Sequence, residues 1–201
     1  AKGENLSREE IIRHVIEYSA IAAHRHVFGV VVWFVVFAGL GLGPVGAVFY
    51  RLSEFLSRAW EGSSDPSLVS DELNNPALET SAAKAWRVTD WVPARMTALS
   101  FAVVGNFEDA VEAWRHDATH FSDSNDGVVL AATSGAINVR LGGKNLGLPD
   151  EESLLSPQAV ETTAGREPEL FHLRSMVGLV WRAVVMWMLL LALLTLARLL
   201  G

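Results

Sequence analysis

Cysteine is absent from this 201-residue chain, and the chain also lacks a serine nucleophile elbow and a phosphate-binding P-loop. The lack of cysteine excludes disulfides, thiol catalysis and cysteine-ligated metals, and it leaves the cellular compartment open. Basic residues are outnumbered, because 16 lysines and arginines face 23 acidic residues and give a net charge of −7. A nucleic-acid partner needs a basic surface, so the composition argues against DNA or RNA.

Charge is also lacking between residues 27 and 50, where the chain reads VFGVVVWFVVFAGLGLGPVGAVFY. About 20 apolar residues suffice to cross a bilayer as a helix, so this stretch predicts a membrane span. Pro44 has no amide hydrogen, and the glycines between Gly39 and Gly46 loosen the helix around it. We therefore expect residues 27–50 to form either a broken span or a re-entrant pair of helices.

A second stretch, residues 176–197, is apolar except for Arg182, whose long side chain can reach the membrane interface. Hydrophobic residues make up 50% of the chain and the mean hydropathy is +0.26, which is high for a soluble domain. These features predict an all-α, polytopic helical membrane protein with polar extramembrane helices and loops. We expect the lipid bilayer to be the main partner of this protein. Arginines flank both stretches, so the positive-inside rule leaves the orientation open.

The polar parts of the chain complete the predicted organisation. Ser7 and Glu10 fit a capping box, and apolar residues follow them at helical spacing. Residues 61–80 and 148–170 contain prolines and polar residues without a sustained period, so we expect two connectors there. The predicted segments are a juxtamembrane amphipathic helix (1–26), the broken or re-entrant span (27–50), a helical region with polar loops (51–175, with a core at 89–147) and a C-terminal transmembrane helix (176–197).

The histidines of the first helix have two interpretations. His14, Glu17 and His24 lie close to one stripe of that helix. They could form a protonatable or metal-binding cluster at the membrane edge, or a polar face that anchors the helix at the lipid headgroups. Helical phase alone does not decide between them.

A second histidine pair follows a helix that Asn106 is expected to cap. His116 and His120 are four residues apart, so a continuing helix would bring both imidazoles to one face. With Asp117, Asp123 or Asp126 they could hold a divalent cation. The alternative is a solvated helix end that runs into a polar loop.

Three dispersed blocks resemble a known family. The first is Val15-Ile-Glu17 leading into the span that ends GPVGAVFYR, and the second is Asp90-Trp-Val-Pro-Ala-Arg95. The third runs from Trp114 through SDSN at 122–125 to GAINVRLGG at 135–143. Their order resembles the CobD/CbiB family of membrane adenosylcobinamide-phosphate synthases and its relative, the AmpE family. The resemblance covers nearly the whole chain and implies that an N-terminal portion with further spans is missing.

The resemblance implies a reaction and a set of site residues. Synthases of this family join adenosylcobyric acid to aminopropanol phosphate in an amide ligation that uses ATP and magnesium, in the bacterial inner membrane as multi-pass proteins. Eight residues match the family pattern: Glu17, Pro93, Arg95, Ser122, Asn125, Gly135, Gly142 and Gly143. From these and Asp90 we expect catalytic candidates at Glu17, Asp90, Arg95 and Asn125, which converge on a cavity beside residues 41–46. Ligand-binding candidates are Ser122, Gly142 and Gly143, and metal candidates are His116, His120 and Asp123.

Several positions depart from the synthase pattern. Where synthases carry E-N-x-x-D-G after Glu17, this chain reads AAHRHVFG at residues 22–29, and Leu130 stands where an acid is usual. Because carboxylates for metal binding and proton transfer are lost, the sequence favours a divergent, AmpE-like sensor or modulator. One alternative is an active synthase in which four histidines replace the lost acids: His24, His26, His116 and His120. Another is an accessory subunit of a larger membrane complex or a homo-oligomer, since the glycine-rich span permits close helix packing.

Overall fold

The computed structural model describes residues 7–61, 76–121, 124–142 and 163–200, and these are helical throughout most of their length. The elements are α1 (Arg8–Ala23), a π-helical turn (His24–Phe28), α2 (Gly29–Gly39), α3 (Val45–Glu61), α4 (Pro76–Val104), α5 (Phe107–Asp117), a 3-10 turn (Ala118–His120), α6 (Ser124–Ile137) and α7 (Leu170–Leu200). The described residues contain one isolated β-bridge, Val139 with Arg166, and no strand. The predicted all-α fold is confirmed.

Both predicted helix caps are present. The Ser7 amide donates to Glu10 Oε2 at 2.9 Å, and the Glu10 amide donates to Ser7 Oγ at 3.2 Å, which is a reciprocal capping box. Asn106 accepts a hydrogen bond from the Asp109 amide through its side chain at 3.4 Å. Each cap supplies a partner to an amide that the helix itself leaves unpaired, so α1 and α5 begin where the sequence indicates.

Two helical stretches are long and apolar enough to cross a membrane. They are Arg8–Gly39, with 32 residues, and Leu170–Leu200, with 31. The second of them, α7, buries one narrow stripe formed by His172, Met176, Leu179, Ala183 and Trp187. Its remaining apolar side chains are mostly exposed. Length, composition and this exposed apolar surface agree with the predicted helical membrane protein.

The chain divides into two compact units, Ala1–Ala23 with Thr97–Gly201, and His24–Met96. In the first unit α6 is the central helix, with nearly every described side chain buried. Helices α1, α5 and α7 pack against it. The contact with α5 is close because α6 carries Gly135: a Cβ there would lie 2.2 Å from the Asp109 carbonyl oxygen. Small residues thus allow the core helix to touch its neighbours.

The second unit contains a helical hairpin formed by α2 and α3. Gly29 approaches the Tyr50 ring and Gly46 approaches the Trp33 carbonyl, so the two helices run antiparallel. The Trp33 and Phe49 rings, 5.6 Å apart, pack between them. The turn at residues 40–44 uses positive φ angles at Gly41 and Gly43, which glycine adopts without strain. The chain therefore folds back on itself within the stretch for which a broken or re-entrant span is predicted.

Part of the predicted connector at residues 61–80 belongs to helix α4, so that prediction is wrong there. The first turn of α4 begins at Pro76, a residue type favoured at the start of a helix because its missing amide needs no partner there. Residues 76–80 are therefore helical, not loop. Residues 62–75 of that connector, and residues 148–162 of the second one, lie outside the described residues.

Helix α4 also continues through Pro93, which cannot donate to the carbonyl of Thr89 four residues earlier. The indole of Trp33 donates to that carbonyl instead, at 3.1 Å. An α2 side chain thus replaces the hydrogen bond that proline removes. This explains how α4 extends through a residue that usually ends or kinks a helix.

Candidate functional site

Asp90 is the centre of a buried polar group in the second unit. Its side chain is 1% exposed, and its Oδ1 accepts a hydrogen bond of 2.7 Å from the Tyr50 hydroxyl. The same oxygen lies 3.1 Å from Nε2 of His24, which is fully buried in the π-helical turn. Three elements thus each contribute one polar side chain. The sequence indicated Asp90 and His24 separately and did not indicate their contact, nor the participation of Tyr50.

The electrostatics of this group keep Asp90 ionised. Burial by itself raises the pKa of the Asp90 carboxyl, because a charge is less stable away from water. The hydrogen bond and charge of His24, with the Tyr50 hydroxyl and the Arg25 guanidinium, outweigh burial, so the pKa of Asp90 lies below its ordinary value. An ionised carboxylate paired with an imidazole can orient that imidazole or accept a proton.

Arg95 lies just over one turn beyond Asp90 on α4. Its guanidinium stacks on the Trp91 ring, 4.0 Å from the centroid, and donates to the Trp91 carbonyl at 3.0 Å. Glu17 and Asn125 belong to the other compact unit. The convergence of all four catalytic candidates on one cavity therefore stays a prediction, as do their roles.

In the first unit, two predicted site residues far apart in sequence meet. The backbone amide of Gly142 donates to Glu17 Oε1 at 2.8 Å, across 125 residues of sequence. The other carboxylate oxygen of Glu17 lies 3.2 Å from Nδ1 of His14, so two of the three residues of the predicted stripe are in contact. Asn125 is buried in the first turn of α6. Glu17 thus links α1 to the segment that follows α6.

Two hydroxyl groups that sequence reasoning missed hold this segment in place. Ser134 Oγ donates to the Val139 carbonyl at 2.8 Å and lies 2.6 Å from Thr163 Oγ1. The Leu141 amide donates to Thr163 Oγ1 at 2.9 Å, and the Thr163 amide donates back to the Leu141 carbonyl at 2.9 Å. The backbone next to Gly142 is therefore fixed by buried hydrogen bonds. Single hydroxyls carry no sequence signal that distinguishes them from other serines and threonines.

A cleft of about 380 Å³ opens between α5, α6 and residues 164–165 of the same unit. Its polar lining includes Asp109, Glu112, His116 and Asp117. Asp117 accepts a hydrogen bond of 3.2 Å from the Ala164 amide, and the Asp109 carboxylate accepts one of 2.5 Å from the Asn106 side-chain amide. Hard cations such as Mg²⁺ prefer oxygen ligands, but within the described residues the ligand atoms of Asp109, Glu112 and Asp117 do not lie close enough together to share one ion.

The predicted metal set is only partly placed by the structure. The continuous α-helix that would bring His116 and His120 to one face does not form, because α5 ends at Asp117 and a 3-10 turn carries His120. Nδ1 of His120 lies 3.9 Å from Asp117 Oδ1. Within the described part of the chain, neither histidine joins a group of three possible ligand atoms close enough to share one ion. Asp123, like Ser122 and Gly143, lies outside the described residues, so this metal site stays a prediction.

The fold and these polar groups define a helical protein with two membrane-length helices and ionisable side chains inside its compact units. The chain matches the family model for the CobD/Cbib protein over residues 2–162, and it belongs to the CobD/CbiB family. The resemblance noted in its motif blocks is therefore confirmed at the level of the family.

Curated relatives agree with the family assignment. Cobalamin biosynthesis protein CobD of Stutzerimonas stutzeri is 31% identical over 189 residues, which cover 92% of this chain and 55% of the relative. The protein of the same name from Chromobacterium violaceum is 33% identical over 117 residues, covering 58% of this chain and 33% of the relative. The chain thus spans about half the length of the first relative. These relatives do not support the predicted AmpE-like branch, and no solved structure matches significantly.

Proposed function

We propose that this chain acts in cobalamin biosynthesis, as part of a membrane-bound CobD-family protein. The observation that carries the proposal is the family match over residues 2–162, together with relatives named for cobalamin biosynthesis. The described site residues support it, because Glu17, Gly135 and Gly142 match the family pattern and lie in one compact unit. Glu17 and Gly142 are directly hydrogen-bonded.

The reaction we propose is the amide ligation that the family resemblance implies. The amine of aminopropanol phosphate forms an amide bond with a carboxyl carbon of adenosylcobyric acid, and ATP gives up its terminal phosphate, which carries away one carboxyl oxygen. The amine must also lose a proton to a base. A bound magnesium ion would neutralise phosphate charge. The cleft is lined by the carboxylates of Asp109, Glu112 and Asp117, which would have to move closer together to bind such an ion. The paired Asp90 and His24 are the buried base candidates of the second unit.

A second candidate function is the sensor or modulator that the departures from the synthase pattern favour. The observation behind it is His24, which stands in the stretch where synthases carry acids and is fully buried against Asp90. Leu130, at a position where an acid is usual, is also buried. A scaffold can persist after its catalytic groups have been replaced by packing groups.

Complementation distinguishes the two candidates. A bacterial strain that lacks the synthase is supplied with cobyric acid and with the complete gene for this protein, and cobinamide phosphate is measured beside growth. Rescue supports the synthase. No product, in cells whose membranes contain the folded protein, contradicts the synthase and supports the sensor.

Variants within the same assay test the site. Glu17→Ala removes the acceptor of the Gly142 amide, and Arg95→Ala removes a guanidinium that matches the family pattern, so each should lower product formation at least tenfold. That loss corresponds to about 1.4 kcal/mol of transition-state stabilisation. Glu108→Ala, a change at an exposed position of α5 outside the candidate site residues, is the control and should retain activity. Equal activity in all three variants would contradict the proposed site.

A further inference from the structure

Helix α3 is amphipathic, but its polar side chains face the protein and its apolar side chains face outward. This is the reverse of a surface helix in a water-soluble protein. Its buried face carries the polar side chains of Tyr50, Glu54 and Ser57. Its opposite face, which we call the outer face, consists of Val45, Val48, Leu52, Phe55 and Leu56, of which Phe55 is 67% exposed and Val48 57%. In water, a surface helix turns its apolar stripe towards the core. The orientation of α3 therefore indicates that water is not the solvent of this face.

The charges of α3 do not interrupt the outer face. Glu54, only 4% exposed, pairs with Arg58 at 2.6 Å and also with Arg51. Arg51 makes a further contact of 2.8 Å with Nδ1 of His26. Ionisable residues at membrane depth are usually paired and turned towards protein. Here Glu54 is turned towards protein, and Arg51 and Arg58, whose side chains are 48% and 54% exposed, both pair with it.

The outer face continues an apolar surface that begins on α2. Phe34 and Val36 of α2 are exposed, and so are Leu40 and Leu42 in the turn before α3. Helix α2 is the last part of the stretch Arg8–Gly39, which is apolar and long enough to cross a bilayer. Because α3 packs antiparallel against α2, its outer face lies beside this span. An exposed apolar surface of this extent marks a site of membrane or protein contact.

We propose that the outer face of α3 binds the acyl chains of the bilayer, so that the membrane-embedded part of the chain extends past residue 50. Acyl chains fit this surface because its five side chains offer neither hydrogen-bonding groups nor charges. They also fit because the surface is continuous with a helix of membrane length. This inference concerns the solvent of α3 and does not depend on which reaction the protein catalyses.

Spin labelling tests the proposal directly, because the chain contains no cysteine and each introduced cysteine is unique. Leu52→Cys and Phe55→Cys are each labelled with a nitroxide in the purified protein, which is then reconstituted into phosphatidylcholine vesicles. Collision rates with oxygen, which concentrates in lipid, and with a water-soluble nickel chelate are measured. Arg115→Cys, at an exposed position of the polar helix α5, is the matched control. If one of the two outer-face variants does not fold, the other is sufficient for the test.

We expect oxygen collisions to exceed nickel collisions at residues 52 and 55, and the order to reverse at residue 115. Nickel collisions that dominate at 52 and 55 would show a water-facing surface and overturn the proposal. Low collision rates with both reagents would show that protein covers the face, and would overturn it as well. If dilution of the protein in lipid then raised the oxygen rate, the covering protein would be a second copy of this chain.

Discussion

At the scale of single residues, Asp90 shows how a buried charge is stabilised in this protein. The carboxylate has two side-chain partners, Tyr50 and His24, each from a different element. Replacing Asp90 with asparagine keeps the shape but removes the charge that strengthens both hydrogen bonds. We expect Asp90→Asn to lower the free energy of unfolding by about 2 kcal/mol at neutral pH. Chemical denaturation in detergent measures the change, and Glu108→Gln, an exposed carboxylate of α5, is the control.

The effect of Asp90→Asn should depend on pH. Because the pKa of Asp90 is lower in the folded than in the unfolded protein, its ionised form stabilises the fold. This stabilisation is complete above the unfolded pKa of about 4, and it is lost as the pH falls through the folded pKa. As the pH falls from about 5 to below about 4, the free energy of unfolding should therefore decrease less in the variant than in the wild type. Parallel pH curves for the two proteins would contradict the role given to this carboxylate.

The sequence predicts the hydrogen-bond partners of a residue only where those partners are near in sequence. Ser7 with Glu10, and Asn106 with Asp109, are three residues apart, so their geometry follows from the helix alone. The partners of Glu17 and Ser134 are 125 and 29 residues away. Those pairs depend on how helices pack, which no local pattern encodes. The family pattern identified Glu17 and Gly142 as important but did not predict that they touch.

At the scale of helices, α4 also depends on a contact that its own sequence does not predict. Its continuation through Pro93 depends on Trp33, an α2 residue whose indole binds the Thr89 carbonyl. Trp33→Phe removes that donor and leaves a carbonyl unpaired, so we expect a loss of about 2 kcal/mol in the free energy of unfolding. Pro93→Ala restores an amide that can bind the same carbonyl. In the Pro93→Ala background, the loss from Trp33→Phe should therefore be smaller by about 1 kcal/mol.

A double-mutant cycle by denaturation in detergent measures this coupling. The two single variants and the double variant are compared with the wild type under one set of conditions. Additive losses would mean that the indole hydrogen bond is not a replacement for the one that Pro93 lacks. Both substitutions also change packing, but only the hydrogen-bond explanation predicts a coupling of this sign.

The α2–α3 hairpin depends on how closely the two helices approach. A Cβ at position 46 would lie 2.1 Å from the Trp33 carbonyl oxygen, and backbone atoms cannot move aside without shifting a helix. We expect Gly46→Ala to lower the free energy of unfolding by about 2 kcal/mol or more. Gly39 ends α2 with no atom within 4 Å of its Cβ position, so Gly39→Ala is the matched control. Alanine there should be neutral or stabilising by up to about 1 kcal/mol. Equal effects of the two substitutions would show that the hairpin tolerates a wider spacing.

At the scale of the whole molecule, each compact unit buries several polar side chains, and many large apolar side chains are exposed. Asp90, Asn125, Ser134 and Thr163 are buried, whereas most leucines of the second half of α7 are exposed. The membrane class was predictable from the sequence, because long uncharged stretches are explicit in it. The placement of the ionisable groups was not predictable, because it depends on contacts between helices.

We expect helix α7 to be inserted in the lipid bilayer. Leu190 and Leu193 are exposed near the middle of its most apolar part. A lysine at the centre of a membrane helix costs about 3 kcal/mol, so replacing both leucines with lysine should shift insertion by about 6 kcal/mol. Leu199→Lys with Leu200→Lys adds the same charge at the helix end, where the side chains can reach the interface. We expect alkaline extraction and glycosylation mapping to show loss of α7 insertion only in the central variant. Equal insertion of the two variants would show that lipid does not surround this helix.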